Sequence, residues 1–324
     1  MGRSWIAWIA VVLVASGVGA TSARADGLPV LGIDVGNDGV TTATGASRFV
    51  TVAAGRNTIV ARVAKGGGRV LHSRLLEGTL TIPAVAYDAS AGGLSADART
   101  LVLIEPRVAF PRADTTLVAL DTARLSPVRV VKLHGDFSFD AISPQGRWMY
   151  LIQYLSPTDP TRYRVRAYDL RAGRLVAQPV LDPTAPGDKM RGAPLSRATS
   201  SDGRWAYTLY DGAGGTPFIH ALDTRDRTAR CIDLGALAGR NDLWRLRLHM
   251  NGGEVAVRGP HGAVLAVDTR TFAVTTPGVR LPLRTVGLVL AALLAAGVLI
   301  VALRRRDRDA TTLSVRSTLR GDGG

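Results

Sequence analysis

The feature that most constrains this chain is a repeated stretch of turn and strand residues. The stretch "SPQGRWMYLIQY" begins at Ser143, and a near copy, "SSDGRWAYTLYD", begins at Ser200. Weaker copies are "SADARTLVLIE" from Ser95 and "MNGGEVAVRG" from Met250. In each copy a turn sequence leads into aromatic, β-branched or long apolar residues, which is typical of a buried strand. The chain is therefore predicted to be an array of similar all-β units.

A second landmark, an aspartate at the end of an apolar strand, follows each copy of the turn. It occurs in "LVALDT", "VRAYDL", "IHALDT" and "VLAVDT", at Asp121, Asp169, Asp223 and Asp268. An aspartate in this position accepts hydrogen bonds from the next backbone N–H groups and starts a turn. Because it recurs in every unit, we predict this structural role rather than a catalytic or calcium-binding one.

Each unit has room for two further strands, one before the turn and one after the aspartate. The strands before the turn are "IPAVAY", "FSFDAI", "PLSRAT" and "WRLRLH". The strands after the aspartate are "VRVVKL", "RLVAQPV", "RTARCIDL" and "FAVTTPG". Four strands in a unit of roughly 45 to 57 residues are the sequence signature of a propeller blade.

The segment before the first clear copy is predicted to be a diverged first blade. The stretch "RFVTVAAGRNTIVARVAKGGGRVLHSRLL" contains three candidate strands with turns at Gly55 and Gly66–Gly68, and "LPVLGIDV" offers a closing strand for the last blade. We therefore predict an all-β chain, a β-propeller of about five four-stranded blades, followed by one C-terminal transmembrane helix. A multi-sheet β-sandwich is the alternative fold.

The two strong copies of the turn resemble the β-propeller superfamily, specifically its TolB-like and YVTN-like repeats. Blades of those repeats often carry the turn and strand "SPDGRxLY", followed by a strand that ends in an apolar residue and Asp. This chain has Gln145 in place of the Asp in one copy and Ser201 in place of the Pro in the other. The resemblance covers about residues 80–277 and implies a blade architecture, not a particular function.

Both ends of the chain carry targeting signals. Arg3, the apolar run Ile6–Val14 and the sequence Ala23–Ala25 predict a secretory signal peptide, with an uncleaved N-terminal anchor as the alternative. The stretch between Arg284 and Arg304 holds no charged residue. At about 1.5 Å per residue its roughly 19 residues form a helix that spans the hydrocarbon core of a bilayer.

The arginine cluster after the apolar stretch predicts that the C-terminus lies in the cytoplasm. We predict a single-pass protein of the cell membrane, with its N-terminal domain outside. The tail is expected to be a solvated end after the stop-transfer cluster, although phosphorylation or contact with anionic lipid is an alternative. The predicted domains are a signal peptide (1–25), an extracytoplasmic β-propeller (26–278), a juxtamembrane linker (279–284), a transmembrane helix (285–303) and a basic tail (304–324).

The formal charge of +14 resembles that of a nucleic-acid-binding protein. The signal peptide contributes +2 and the tail +3, which leaves +9 on the exported part, mostly as scattered arginines. Nucleic-acid-binding proteins concentrate their charge in a patch, so no nucleic acid is expected as a partner. Cys231 is the sole cysteine, so no intramolecular disulfide can form and packing must hold the exported domain together.

No motif in the sequence predicts a catalytic, cofactor-binding or metal-binding residue, and no cofactor is expected. The glycine-rich loop "DVGNDGVT" from Asp34 resembles the start of a calcium loop, but its twelfth position is Gly45 instead of Glu. The stretch "VRGPHGAV", with Arg258 and His261, is predicted to be a hairpin turn. No pair among the five histidines, His72, His134, His220, His249 and His261, has the spacing found in zincin metalloproteases.

The predicted function is that of a membrane-anchored extracytoplasmic binding or scaffolding module whose partner is a protein or a cell-envelope polymer. The alternative is an exported propeller enzyme, a hydrolase or lyase acting on glycans or peptides. Several carboxylates at one mouth of the propeller would favour the enzyme, and a lining of Ala, Thr and scattered Arg would count against it. The non-repeated loops "SPTDPTRY" from Ser156 and "PTAPGDKMRG" from Pro183 are the predicted recognition sites.

Overall fold

The computed structural model describes residues 39–65, 69–185 and 190–276. The predicted signal peptide, juxtamembrane linker, transmembrane helix and tail lie outside these residues, as do "LPVLGIDV" and the turn at Gly66–Gly68. Within the described ranges, no helix combines the length and the apolar character that a membrane crossing requires.

The described chain is all-β and forms five antiparallel sheets in which strands adjacent in sequence are adjacent in space. Sheet 1 contains β1 (Val40–Thr41), β2 (Ser47–Ala54), β3 (Asn57–Ala64) and β4 (Val70–Glu77). Sheet 2 contains β5 (Thr100–Ile104), β6 (Asp114–Asp121) and β7 (Ser126–His134). Sheet 3 contains β8 (Phe137–Ile142), β9 (Trp148–Tyr154), β10 (Tyr163–Asp169) and β11 (Arg174–Val180).

The remaining strands form two sheets of the same kind. Sheet 4 contains β12 (Pro194–Thr199), β13 (Trp205–Tyr210), β14 (Phe218–Asp223) and β15 (Thr228–Asp233). Sheet 5 contains β16 (Arg247–Asn251), β17 (Glu254–Gly259), β18 (Gly262–Asp268) and β19 (Val274–Thr275). These five meandering sheets are consistent with the predicted propeller of about five blades.

The prediction of four strands in every blade is wrong for sheet 2, where "IPAVAY" is not a continuous strand. Thr81 pairs with Ile104, and Leu94 pairs with Leu101, so two separate pieces of chain lie along β5. Residues 84–91 leave the sheet between these pieces as a hairpin. Pro83 has no backbone N–H to donate to a ladder, which is consistent with the chain leaving the sheet at this point.

The repeated turn has the same geometry in sheets 2, 3 and 4. In sheet 3 the backbone N–H of Trp148 donates to the Ser143 hydroxyl oxygen at 2.9 Å, and the N–H of Gly146 donates to the Ser143 carbonyl at 2.9 Å. Gly146 has a φ of 71°, a conformation that costs glycine little. Ser200 in sheet 4 and Ser95 in sheet 2 repeat these bonds, so the repeat specifies architecture, as predicted.

Sheet 1 contains a further copy of this turn that was not predicted from the sequence. The N–H of Gly45 donates to the Thr42 carbonyl at 2.7 Å, and Gly45 has a φ of 67°. Thr42 stands where the other copies have serine, and Phe49 is buried where sheet 3 has Tyr150. Gly45 therefore belongs to a blade turn, and Asp34 and Asp38 of the glycine-rich loop "DVGNDGVT" lie outside the described residues.

The recurring aspartates have the structural role predicted for them. The Asp169 carboxylate accepts the N–H groups of Arg171 and Ala172, both at 2.9 Å. Asp268 accepts the N–H groups of Thr271 and Arg270, which lower the pKa of its carboxyl. Asp121 and Asp223 accept backbone N–H groups of their following turns in the same way.

Four apolar clusters join consecutive sheets. Each combines buried side chains of two neighbouring sheets, and burial of one large apolar side chain contributes about 1.5–3 kcal/mol. Representative pairs are Phe49 with Leu101 (sheets 1 and 2), Val102 with Phe139 (sheets 2 and 3), Ile152 with Leu222 (sheets 3 and 4) and Leu209 with Val255 (sheets 4 and 5).

The hairpin of residues 84–91, the crossing hairpin, connects sheet 2 to sheet 4. The N–H of Tyr87 donates to the Pro194 carbonyl at 3.0 Å, and the N–H of Asp88 donates to the Leu195 carbonyl at 3.2 Å. The Tyr87 ring packs against the cluster between sheets 4 and 5, and burial raises its pKa to about 12. Sheets 2 and 4 lie on either side of sheet 3, so this contact places their first strands near a common centre.

Ion pairs buried between the sheets add polar contacts to this core. The Arg107 guanidinium lies 2.6 Å from the Asp136 carboxylate, and both side chains are 2% exposed. Asp136 also accepts the backbone N–H of Arg112 at 3.0 Å. Because each charge is matched by a partner inside the protein, these groups position the chain between sheets 2 and 3.

Candidate functional site

The five histidines lie in different places. His72, His134 and His261 are exposed, and His134 contacts Asp114 at 3.1 Å. His220 is buried in β14, where burial lowers its pKa to about 4. In the parts of the chain that the structure describes, no group of three or more His, Cys, Asp or Glu side chains is arranged to hold a metal ion.

The two predicted recognition loops are held by their own side chains. Asp159 accepts both the N–H and the hydroxyl of Thr161, at 2.9 and 2.6 Å. Asp182 accepts the N–H of Thr184 at 2.8 Å and that of Cys231 at 2.9 Å. These bonds serve the loops themselves, and residues 186–189 of the second loop lie outside the described residues. Whether either loop recognises a partner stays a prediction.

A cavity of ≈ 390 Å³ lies where the first strands of sheets 1, 3 and 4 and the segment before β5 converge. Most of its lining is apolar or carries small hydroxyl groups, including Val40, Val85, Phe139 and Thr199. Asp140 is the one carboxylate among the described lining residues, and it is ion-paired with Arg197. Both side chains of this pair are at most 6% exposed, so the cavity wall carries two opposite charges that neutralise each other.

A second concave site lies on sheet 5 and is of different character. This shallow site, the sheet-5 pocket, has a volume of ≈ 420 Å³. It is lined by Trp244, Arg245, Arg247, His249, Arg258, Gly259 and Pro260. Trp244 is 66% exposed, which is unusual for so large an apolar side chain. The described lining thus joins an exposed indole to three guanidinium groups, with no carboxylate among these residues.

The alternating sequence around β16 brings these side chains to one face. Arg247 and His249 alternate with Leu246 and Leu248, which are buried. In extended chain, side chains two residues apart point to the same side. The buried leucines therefore anchor this strand in the core, while the polar residues between them face the pocket. Trp244 and Arg245 reach the pocket from a short 3₁₀ helix, Leu243–Arg245, that precedes this strand.

The pairing of β16 with β17 adds a third arginine. Arg247 is directly opposite Arg258 in this ladder, an arrangement in which like charges destabilise a sheet. The pairing of β17 with β18 shifts register between Val257 and Arg258, and such bulges re-aim side chains next to functional sites. The fold thus maintains a repulsive pair of cations at the pocket.

The internal contacts of these arginines leave most of their donor capacity unused. The Arg247 Nη1 donates to the carbonyls of Trp244 and Leu246 at 2.8 and 2.9 Å, which orients its guanidinium. Its Nε lies 4.0 Å from a carboxylate oxygen of Asp88 in the crossing hairpin. The Arg245 guanidinium lies 5.7 Å from the centroid of the Trp244 ring. Among the described residues neither Arg245 nor Arg258 has an ion-pair partner.

This pocket was not predicted from the sequence, in which "WRLRLH" indicates a strand and Arg258 belongs to a predicted hairpin turn. Both assignments are correct in outline, since β16 begins at Arg247 and Gly259 pairs with Gly262 at the turn. The alternation of arginine and leucine was a usable signal, since it places charge on one face of an otherwise buried strand. The contribution of Arg258 was not visible, because it depends on the register of two strands.

Comparisons with known proteins show a similarity of fold and nothing more specific. No protein-family model matches the sequence, and no curated protein matches it. A similar solved structure is Kuenenia stuttgartiensis hydrazine synthase, with 14% identity, a TM-score of 0.42, and coverage of 74% of this chain and 70% of that chain. TolB from Acinetobacter baumannii has 10% identity, a TM-score of 0.39, and coverage of 71% of this chain and 51% of that one.

A putative TolB from Agrobacterium tumefaciens is also similar, with 12% identity, a TM-score of 0.37, and coverage of 73% of this chain and 78% of that one. TolB-like propeller proteins are thus among the structural neighbours. The low identities limit these likenesses to the fold.

Proposed function

We propose that the chain is a membrane-anchored, extracytoplasmic β-propeller that acts as a binding or scaffolding module. Its partner is a protein or a polymer of the cell envelope, and it engages that partner through the sheet-5 pocket. The N-terminal signal sequence and the apolar segment 285–303 support export of the propeller and a single membrane crossing.

The observation that carries the proposal is the exposed indole of Trp244 beside three arginines, of which only Arg247 has an ion-pair partner among the described residues, Asp88 at 4.0 Å. Tryptophan and arginine are the residue types that contribute most to binding energy at interfaces. Arg247 and Arg258 repel each other in the free protein, and a partner with negative charge would relieve that repulsion. The central cavity, by contrast, has a mainly apolar lining whose charges are already paired.

The experiment tests location and binding separately, in a bacterial host that expresses the full chain. In intact cells, added protease should remove the propeller and leave a C-terminal tag protected. In fractionated cells, a form carrying Leu288→Arg and Leu293→Arg, which interrupt the apolar segment, should leave the membrane. That soluble form should then sediment with purified envelope fragments.

The binding arm compares two triple variants with equal loss of charge. Replacement of Arg245, Arg247 and Arg258 by serine should release the soluble form from envelope fragments. The matched control replaces Arg56, Arg69 and Arg74, exposed arginines of sheet 1 and its border, and should sediment as the unsubstituted soluble form does. Equal release of both variants would mean that net charge alone, and not the sheet-5 pocket, holds the protein on envelope fragments. Protection of the propeller from protease in intact cells would contradict the proposed topology.

A further inference from the structure

We infer that the sheet-5 pocket recognises an anionic glycan, a polymer whose sugar rings carry carboxylates. This inference rests on the proposed function and names the ligand class of the same site. It follows from the two kinds of group that the pocket combines, guanidinium forks and one exposed indole face.

The guanidinium groups specify the anionic part of the ligand. Arg247 and Arg258 are opposite each other on adjacent strands, so one carboxylate can accept donors from both. Arg247 is oriented in advance by two backbone carbonyls, which reduces the side-chain entropy lost when a ligand binds. Arg258 comes from the bulge of β17 and lines the same pocket.

Trp244 favours a ligand in which the carboxylate is attached to a sugar ring. Its indole is 66% exposed and stands beside the arginines, with Arg245 5.7 Å from its centroid. The C–H face of a pyranose ring is flat and apolar, so it packs on an indole while the ring's carboxylate reaches a guanidinium. A polymer with one such ring after another presents this combination in every repeat.

Two other anionic polymers fit the pocket less well. An acidic peptide offers carboxylates on flexible side chains but no ring to cover Trp244. A single-stranded nucleic acid stacks successive bases on several aromatic side chains, whereas this pocket offers one aromatic residue, Trp244, besides His249. Asp88 is 4.0 Å from Arg247 and lowers the positive potential that any of these ligands would meet.

The test measures binding of four probes to the full chain in nanodiscs of zwitterionic lipid, by calorimetry at low and high salt. The probes are a mannuronate hexamer, a neutral mannose hexamer, hexaglutamate and a hexathymidylate. We expect the mannuronate hexamer to bind at least about tenfold more tightly than each of the other three. Binding should weaken with salt, because charge pairs carry part of the affinity.

Variants then assign this binding to the pocket. Trp244→Ala should weaken mannuronate binding about fivefold or more, and Arg247→Ser with Arg258→Ser should weaken it at least about tenfold. Asp88→Asn should strengthen it, while Arg56→Ser with Arg74→Ser should leave it unchanged.

Hexaglutamate or hexathymidylate binding as tightly as mannuronate would overturn the glycan assignment, as would equal binding of the neutral hexamer or no measurable binding of mannuronate. A Trp244→Ala variant with unchanged affinity would also overturn it. If envelope sedimentation still depends on the pocket arginines in these cases, the proposed function stands and the ligand class alone is wrong. If mannuronate does not bind and envelope sedimentation does not depend on the pocket arginines, the proposed function is wrong too.

Discussion

Sheets 3, 4 and 5 are copies of the same repeat, but their charged side chains have different surroundings. In sheets 3 and 4, Asp140 is ion-paired with Arg197, and Ser143 and Ser200 cap their turns. In sheet 5, Arg247 and Arg258 stand opposite each other and Trp244 is exposed. The buried charges between sheets 3 and 4 are paired with each other, whereas Arg258 on the surface of sheet 5 has no ion-pair partner among the described residues and is available to a ligand.

The largest loss of stability is expected when a buried charged side chain loses its ion-pair partner. Asp136→Ala leaves Arg107 buried without the carboxylate that lies 2.6 Å away. Removal of one member of a buried ion pair costs about 3–5 kcal/mol, because the remaining charge stays desolvated. Urea unfolding of the full chain in detergent should show this loss. A loss below about 1 kcal/mol would mean that the interior does not depend on matched charges.

The pH dependence of stability provides the second test of the interior. Burial lowers the pKa of His220 from 6.5 to about 4, so the unfolded chain binds more protons between these values. Stability should therefore fall as the pH falls through 6.5, and the loss from this group should be complete below pH 4, at about 3 kcal/mol. The difference in unfolding free energy between wild type and His220→Gln, measured from pH 7 to pH 4, isolates the contribution. A pH-independent difference would show that His220 is hydrated.

Equivalent tyrosines of sheets 3 and 4 offer a matched pair for the third test. The Tyr150 hydroxyl donates to the Thr224 carbonyl at 2.8 Å, while the Tyr207 hydroxyl is buried without a hydrogen-bond partner among the described residues. Tyr150→Phe should cost about 1 kcal/mol, and Tyr207→Phe should be neutral or stabilising. Thermal unfolding of the two variants checks the order. The reverse order would contradict the described hydrogen bonding.

The smallest change in stability is expected for a substitution in sheet 5. Arg258→Ser removes one member of the repulsive pair with Arg247, so the free energy of unfolding should stay unchanged or rise by about 0.2–0.5 kcal/mol. The same urea experiment measures it. A loss above about 1 kcal/mol would mean that Arg258 stabilises the blade, and would remove the contrast between the sheets.

The sequence predicted most of the blades because their signals are local. The turn at Ser143 and the aspartate at Asp169 involve residues close in sequence, and the structure confirms both. The copy at Thr42 was missed because threonine replaces serine in it. The crossing hairpin was predicted as a strand, since the apolar residues of "IPAVAY" resemble one, and its contact with Pro194 is more than 100 residues away.

The candidate site was less predictable than the fold for the same reason. The alternation in "WRLRLH" marks Arg247 and His249 as one face, but that face becomes a pocket only when Arg258 lies opposite. This register depends on a two-strand ladder and a bulge, and neither has a signature in the sequence. Exposure of Trp244 is likewise a property of the packed sheets, since most tryptophans are largely buried.

The central claim is that recognition occurs at the sheet-5 pocket and not at the cavity lined by the first strands of sheets 1, 3 and 4. Hydrogen exchange of the full chain, measured with and without purified envelope fragments, tests it directly. We predict that the fragments slow exchange in residues 244–249 and 255–262. Slowed exchange in the cavity-lining residues 91–96 and 139–142, with sheet 5 unchanged, would contradict it.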